Sequence, residues 1–215
     1  MEVLAASGLF MDISRRELAG MLTCLGATEQ HYAKGEALLW EGEVLSCVGV
    51  VLSGGGQTLK TGIGGDLLMV STLGPGSFIG ILLSAGGRHP SPVTVRATEP
   101  MQVLWIPADS LLTPCRADCP LHSRLTHNYI RCIADRGMLL HSRIDCLIRP
   151  SLREKIAACL EAIQPVRGES FMLPFDRAGM AYYLHVDRSA LSRELSRMRQ
   201  EGIIDFDKSR FVRLK

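Results

Sequence analysis

Arginine and serine side chains that could bind DNA cluster in one stretch near the C-terminus, DRSALSRELSRMRQEG. They are Arg188, Ser189, Ser192, Arg193 and Arg197. A guanidinium can pair with two acceptors of guanine, and a hydroxyl suits a base edge or a phosphate. We expect Arg193 to read a base and Arg188 and Arg197 to hold phosphates. Ser189 and Ser192 would touch a base edge or a phosphate. The alternative is a solvated helix face, because charge patterns alone are weak signals.

An amphipathic helix must position these side chains. Leu191, Leu195 and Met198 recur at steps of four and three and form one apolar stripe, away from the arginines. Asp187 is a suitable N-cap, and Gly202 supplies the C-terminal stop. One side of the helix is therefore predicted to pack, and the other to remain available for contact.

A second short helix is predicted immediately upstream. The segment DRAGMAYYL (176–184) is capped by Asp176 and carries Arg177, a further candidate for DNA contact. His185-Val186 is a tight turn, so the three elements together predict a helix-turn-helix. Downstream, IIDFDKSRFVRLK alternates apolar and polar residues around Asp207-Lys208-Ser209, which predicts a hairpin wing.

A new domain is predicted to begin near residue 150. Pro150 disfavours a helical residue before it, and Ser151 with Glu154 forms a capping box for the next helix. That helix is predicted to end before Pro165. Its core stripe is predicted to be Ile156, Ala157, Leu160 and Ile163. A short strand is expected at Phe171–Pro174.

A long helix is predicted from about Pro120 to Ile148. Its apolar residues recur at alternating steps of three and four, as in a coiled coil. This apolar seam consists of Ile130, Ile133, Gly137, Leu140, Ile144 and Leu147. Gly137 suggests a close backbone approach, since glycine costs about 1 kcal/mol against alanine within a helix. We expect the seam to pair with a second copy of the chain; packing on the chain's own barrel is the alternative.

Short apolar runs punctuated by glycine occupy residues 33–107. Such runs at this turn density indicate a small antiparallel β-barrel or jelly roll. Turns are predicted at Lys34-Gly35, Gly42-Glu43, Gly64-Gly65 and Pro75-Gly76. Residues 2–30 precede the roll as short helices, which we interpret as a packing element.

The charges are distributed unevenly along the chain, whose formal net charge is +2. Residues 1–119 carry 7 Lys and Arg against 11 Asp and Glu, whereas residues 120–215 carry 17 against 11. This asymmetry predicts a polyanion partner for the C-terminal half only. No apolar run approaches the roughly 18 residues that span a bilayer, and no signal-peptide layout is present. We expect a cytoplasmic protein with no membrane partner.

The chain resembles the Crp-Fnr family of bacterial transcription regulators over nearly its whole length. The resemblance is carried by GEALLWEGE (35–43), VLSGG (51–55), LGPGSFIG (73–80), VRATEPMQVLWIP (95–107), SLREKIAACL (151–160) and DRAGMAYYLHVDRSALSRELSRMRQEGII (176–204). It implies an effector-binding β-roll, a dimerising helix and a winged helix that binds DNA. Two positions depart from the family pattern: Ser189 stands where Glu is frequent, and His185 where glycine is common.

The resemblance does not transfer the effector. Members that bind cyclic AMP hold its ribose and phosphate with a Gly-Glu pair and an Arg-Ser pair. Here Ile81 follows Gly80, and Ser91-Pro92 stands in place of Arg-Ser. We therefore expect no tight cyclic AMP binding, since each lost charge-assisted partner costs about 1.5 to 3 kcal/mol. The predicted effector pocket consists of Ile81, Leu82, Arg88, Ser91, Leu140 and His141, with Arg88 as a substitute phosphate partner.

No metal site or other cofactor is identified from the sequence. The seven cysteines show no disulfide spacing, and only Cys24 lies early, unlike the clustered cysteines of iron–sulfur members of the family. Cys115 and Cys119 form the one close pair, which leaves a redox switch or a metal half-site open beside incidental thiols. A haem-ligand role for His89, His122 or His127 is a weaker alternative.

These patterns predict an α+β protein with three parts. The parts are an N-terminal double-stranded β-helix or jelly-roll domain with N-terminal helices (1–119), a dimerisation helix (120–149) and a winged helix-turn-helix domain (150–215). We expect a homodimeric, non-enzymatic transcription regulator on a near-palindromic operator, controlled by a small effector or a redox signal. RNA polymerase is an expected partner if the regulator is an activator. The alternatives are a ligand-binding protein that acts through protein contacts and a cupin-like enzyme.

Overall fold

The computed structural model describes residues 2–62, 65, 67–86, 89–115 and 119–215. The chain forms two compact units, which divide between Arg136 and Gly137. The N-terminal unit contains the roll, and the C-terminal unit contains the helix-turn-helix. Within the described ranges, none of the helices is long and apolar enough to span a membrane.

Short helices begin the N-terminal unit, as predicted. They are α1 (Glu2–Ala6), a 3₁₀ turn (Gly8–Phe10) and α2 (Arg15–Cys24). The Ser14 hydroxyl accepts from the amide of Glu17, and the Glu17 carboxylate accepts from the amide of Ser14, so a capping box starts α2. Leu18 of α2 is fully buried. These helices are therefore a packing element of the unit.

The roll consists of two antiparallel sheets. In the described residues its strands are β1 (Thr28–Tyr32), β2 (Ala37–Leu39), β3 (Cys47–Ser53), β4 (Gly56–Thr61), β5 (Leu67–Leu73), β6 (Phe78–Ile79), β7 (Thr94–Ala97) and β8 (Met101–Pro107). The strand orders are β1-β8-β3-β6 and β2-β7-β4-β5. The two sheets share an apolar core that includes Val51, Val95, Val103 and Trp105. The jelly-roll prediction is confirmed.

Glycines with positive φ form the tight turns of the roll. Gly35, Gly42 and Gly76 have φ values of 88°, 87° and 84° at three of the predicted turns, whereas Gly64 lies outside the described residues. Gly54 also has a positive φ of 79°. A Cβ at Gly54 would overlap the carbonyl oxygen of Pro100 and lie 2.8 Å from the Cα of Met101. Position 54 therefore requires glycine for its backbone conformation and for space.

Two parts of the roll differ from the expectation. Thr28–Tyr32 is a strand, although it overlaps the region predicted to be helical. It lies at the edge of its sheet and its side chains are mostly exposed, so its sequence is polar and lacks the apolar alternation of a half-buried strand. The apolar run after β6 is helical: α3 (Ile81–Ala85) follows Gly80, whose φ of 73° turns the chain.

Two helices follow β8: the short α4 (Ala108–Leu112) and the long α5 (Pro120–Leu147). Helix α5 is continuous, as predicted, and contributes to the cores of both units. Leu125 and Tyr129 are fully buried in the apolar cluster of the N-terminal unit. Cys146, near the end of α5, is fully buried in the cluster of the C-terminal unit. The two compact units divide inside this helix. The domain boundaries at residues 119–120 and 149–150 stay a prediction.

The C-terminal unit has the order expected of a winged helix. After the end of α5 come α6 (Leu152–Ile163), β9 (Ser170–Met172), α7 (Arg177–Tyr183), α8 (Arg188–Gln200), β10 (Ile204–Asp207) and β11 (Arg210–Arg213). The strands pair in the order β10-β11-β9, so β9 joins the predicted wing hairpin. Ser151 and Glu154 form the predicted capping box. The core stripe of α6 was wrong at one position: Ala157 is exposed, and Cys159 is buried beside Ile156 in its place.

Candidate nucleic-acid interface

Helix α7, a tight turn and α8 form the helix-turn-helix. The Asp176 carboxylate accepts from an amide of the first turn of α7 at 2.8 Å. The turn passes through His185, whose φ of 53° is left-handed, at the position where the family commonly has glycine. The Asp187 carboxylate accepts from the amides of Ser189 and Ala190, both at 2.9 Å, and starts α8. The predicted caps and turn are confirmed.

The apolar stripe fixes α8 within the C-terminal unit. Leu191, Leu195 and Met198 are each at most 1% exposed. They belong to one buried cluster with Met180 and Ala181 of α7. Ala181 is small where the two helices meet, as expected. Because one side of α8 is packed in this way, its opposite side is held in a fixed position at the surface.

The opposite side of α8 is an exposed polar face with a shallow, open depression between its side chains, which we call the α8 groove. The groove is lined by Ser192, Arg193, Ser196, Arg197 and Gln200. Arg188 and Ser189 are exposed in the first turn of the same helix. Three of the predicted contact residues therefore lie in one groove. Ser196 and Gln200 were not among the predicted residues, although their spacing of four and seven residues from Ser192 and Arg193 could have identified them.

The serine hydroxyls of α8 already have acceptors within the protein. Ser192 donates to the carbonyl oxygen of Arg188, and Ser196 donates to that of Ser192, both at 2.9 Å. Ser189 donates to the Asp187 carboxylate, which is the first cause of the lowered pKa of Asp187; an amide hydrogen bond from Ala190 follows. Each hydroxyl oxygen retains acceptor capacity.

Arg177 is placed differently from the arginines of α8. Its guanidinium lies over the rings of Phe206 and Phe211, at 4.3 and 4.9 Å from their centroids. Its Nη1 is buried without a hydrogen-bond partner among the described residues, and burial lowers the pKa of this guanidinium. The side chain packs α7 against the wing. We therefore leave Arg177 out of the proposed contact set.

Ile81 occupies the position of the ribose-binding glutamate expected in members that bind cyclic AMP. It is 4% exposed and lies in the same apolar cluster as Tyr129 of α5. Ser84, one turn further along α3, shares a hydrogen bond of 3.0 Å with the Tyr129 hydroxyl. Leu82, in contrast, is 39% exposed. Helix α3 is thus attached to α5 within the N-terminal unit, in part through Ile81.

The other described residues predicted for the effector pocket lie in different parts of the chain. Ser91 is 2% exposed, and its hydroxyl donates to the carbonyl oxygen of Val93 at 2.7 Å, so it supports the local loop. Leu140 and His141 lie in the C-terminal unit and their side chains are exposed. Arg88 lies outside the described residues. The composition of the pocket stays a prediction.

All seven cysteines are free thiols in the structure. Cys115 is exposed and Cys119 is partly buried. Among the residues that the structure describes, no group of three or more His, Cys, Asp or Glu side chains is arranged to hold a metal ion. The redox role considered for Cys115 and Cys119 stays a prediction.

Comparison with known proteins finds a matching domain family for each of the two units. Residues 29–118 match the family model of the cyclic nucleotide-binding domain, and residues 154–215 match that of the Crp-like helix-turn-helix domain. The cyclic AMP receptor protein of Thermus thermophilus is 27% identical over 176 residues, which are 80% of this chain and 77% of that protein.

Two solved structures share the fold. CprK complexed with OCPA has a TM-score of 0.67 at 19% identity, over 92% of this chain and 91% of that one. The Thermus thermophilus catabolite activator protein has a TM-score of 0.56 at 21% identity, over 96% and 93%.

The fold and the two matches, in this order along the chain, define a transcription regulator in which a roll of the cyclic nucleotide-binding type precedes a Crp-like helix-turn-helix. The chain belongs to the Crp-Fnr family.

Proposed function

We propose that the protein is a homodimer that binds a near-palindromic DNA operator and responds to a small effector or a redox signal in the roll. The observation that carries the proposal is the open groove on α8, lined by Arg193, Arg197 and three polar residues. Guanidinium groups at one-turn spacing on a fixed helix suit the major groove. Double-stranded DNA is the proposed partner, in the cytoplasm, together with RNA polymerase if the protein is an activator.

The apolar seam of α5 supports the homodimer. Ile130, Leu140 and Ile144 are 57%, 51% and 55% exposed in the single chain. A Cβ added at Gly137 would meet nothing within 4 Å, so there is room for a second helix to approach closely. Two copies paired along α5 would present two α8 helices to half-sites about 34 Å apart.

Selection from random DNA duplexes tests the proposal directly. The purified protein should enrich one palindromic sequence, alone or with cell extract as a source of effector. Failure to enrich any palindrome under both conditions would count against sequence-specific regulation. Nonspecific binding that does not respond to salt would favour the alternative, a ligand-binding protein that acts through protein contacts, because phosphate contacts release counterions.

Replacement of Arg193 by Ala should reduce operator affinity by about 1 to 3 kcal/mol per half-site and relax specificity at one base pair of each half-site. The matched change Arg197→Ala should weaken binding to all sequences evenly and reduce the salt slope by about 2, because each copy of the dimer loses about one phosphate contact. Titrations of the operator and of single-base variants at several salt concentrations distinguish the two patterns. An equal loss on every sequence for Arg193→Ala would show that the two roles are reversed.

Cyclic AMP is not the proposed effector, because Ile81 is buried and apolar and the Ser91 hydroxyl is already used within its loop. A ligand at 100 times its dissociation constant adds about 2.7 kcal/mol to stability. We expect no shift of the melting temperature with cyclic AMP in a thermal shift assay, with a known cyclic AMP receptor protein as the positive control. A clear shift would overturn the proposal on the effector.

A further inference from the structure

We propose that Arg153 is a positioning residue for DNA binding: it holds the Glu194 carboxylate, and so leaves Arg197 of the α8 groove available for phosphate. The inference rests on the proposed function. All three residues belong to the C-terminal unit, and Arg153 lies in the first turn of α6, outside the groove.

Arg153 contacts α8 at two points. Its Nε donates to Oε1 of Glu194 at 2.6 Å. Its Nη1 and Nη2 donate to the two carboxylate oxygens of Glu201 at 2.6 and 2.9 Å. This paired geometry is the strong form of an arginine–carboxylate interaction, and it is the first cause of the lowered pKa of Glu201. The guanidinium of Arg153 therefore binds two carboxylates, that of Glu194 within α8 and that of Glu201 at the C-terminal end of the helix.

Glu194 lies between two guanidinium groups. Its Oε2 is 3.7 Å from Nη1 of Arg197, a longer separation than the 2.6 Å to Arg153. The Glu194 side chain is only 13% exposed, whereas that of Arg197 is 69% exposed. A carboxylate that is largely buried needs a partner. If Arg153 were absent, Arg197 would be the cation next to Glu194.

Competition for Glu194 gives Arg153 its effect on DNA binding. Without Arg153, the Glu194 carboxylate would pair with Arg197 and draw it away from the phosphate. Each lost phosphate contact lowers the salt slope of DNA binding by about 1. The effect acts through Glu194 and Arg197, so most of it should be lost when residue 194 carries no charge.

The test uses the full chain and its selected operator, titrated at several salt concentrations. Arg153→Gln should weaken binding about 10-fold at moderate salt and lower the salt slope by about 2, because each copy of the dimer loses about one phosphate contact. The double variant Arg153→Gln/Glu194→Gln should recover most of the affinity and the slope. Arg15→Gln is the matched control, because Arg15 forms a 2.9 Å ion pair with Glu2 in the other unit; it should leave both quantities unchanged.

The variant Glu194→Gln separates positioning from structural support. It should bind DNA at least as tightly as the unaltered protein, because Arg197 is then free. If Glu194→Gln weakens binding as much as Arg153→Gln does, or if the double variant does not recover, the ion pair is only structural and the proposal is overturned. An unaltered protein that binds no duplex would refute the proposed function. An unaltered protein that binds its operator, with Arg153→Gln binding equally well, would refute only the role of Arg153.

Discussion

Replacement of Ile144 by Asp is expected to convert the protein into a monomer and to weaken operator binding about 100-fold or more. Ile144 is 55% exposed in the single chain, so the substitution leaves the packed cores intact. In a dimer paired along α5, each copy would place an aspartate in the apolar contact, where a buried unpaired charge is costly. Two linked half-site contacts gain about 10² to 10⁴ in affinity over one, and a monomer loses that gain. Sedimentation equilibrium and operator titration measure the two effects.

Leu139→Asp is the matched control for this substitution. Leu139 lies on the same helix and is 56% exposed, but at 100° per residue it lies roughly opposite the seam. The control variant should remain a dimer and retain operator affinity. A dimeric Ile144→Asp variant, or equal dissociation of the two variants, would show that α5 does not pair through the seam.

Replacement of Gly54 by Ala is expected to destabilise the roll by about 2 to 5 kcal/mol. A left-handed conformation costs a non-glycine residue roughly 1 to 2 kcal/mol, and overpacking typically costs about 1 to 3 kcal/mol. Here the overlap is with the backbone of Pro100 and Met101, which cannot rotate away as a side chain can. Both tryptophans, Trp40 and Trp105, belong to the N-terminal unit, so tryptophan fluorescence during denaturant unfolding reports the stability of that unit.

Gly76→Ala separates the two contributions to this loss. Gly76 has a positive φ of 84°, but a Cβ there would meet nothing within 4 Å. The variant should therefore lose only the conformational part, roughly 1 to 2 kcal/mol. Equal losses for Gly54→Ala and Gly76→Ala would show that the contact with Pro100 adds nothing and that only the positive φ matters.

The helix-turn-helix could be predicted from the sequence because its signals are local. Asp176 and Asp187 act as caps on amides within their own first turns, and the stripe through Leu191 and Leu195 depends only on helical spacing. The left-handed turn at His185 likewise involves a few neighbouring residues. Secondary structure and the direction of α8 side chains follow from such short-range features.

Features that depend on distant residues could not be predicted. Arg177 looks like any basic residue at a helix start, and its burial depends on Phe206 and Phe211, about thirty residues later in the chain. The pairing of Arg153 with Glu194 joins two helices that the sequence separates by 41 positions. The edge strand β1 was not predicted, because the sequence of an exposed strand shows no alternation of apolar and polar residues. In each case the structure depends on tertiary contacts, and these contacts cannot be read from the local sequence pattern.

The hydrogen bonds from Ser192 and Ser196 to the backbone of α8 limit which bases this helix can recognise. Since both hydroxyl protons are used along the helix, these side chains would approach DNA as acceptors. The donors in the major groove are the exocyclic amino groups, N4 of cytosine and N6 of adenine, whereas phosphate oxygens only accept. We therefore expect each operator half-site to present cytosine or adenine beside the guanine that faces Arg193.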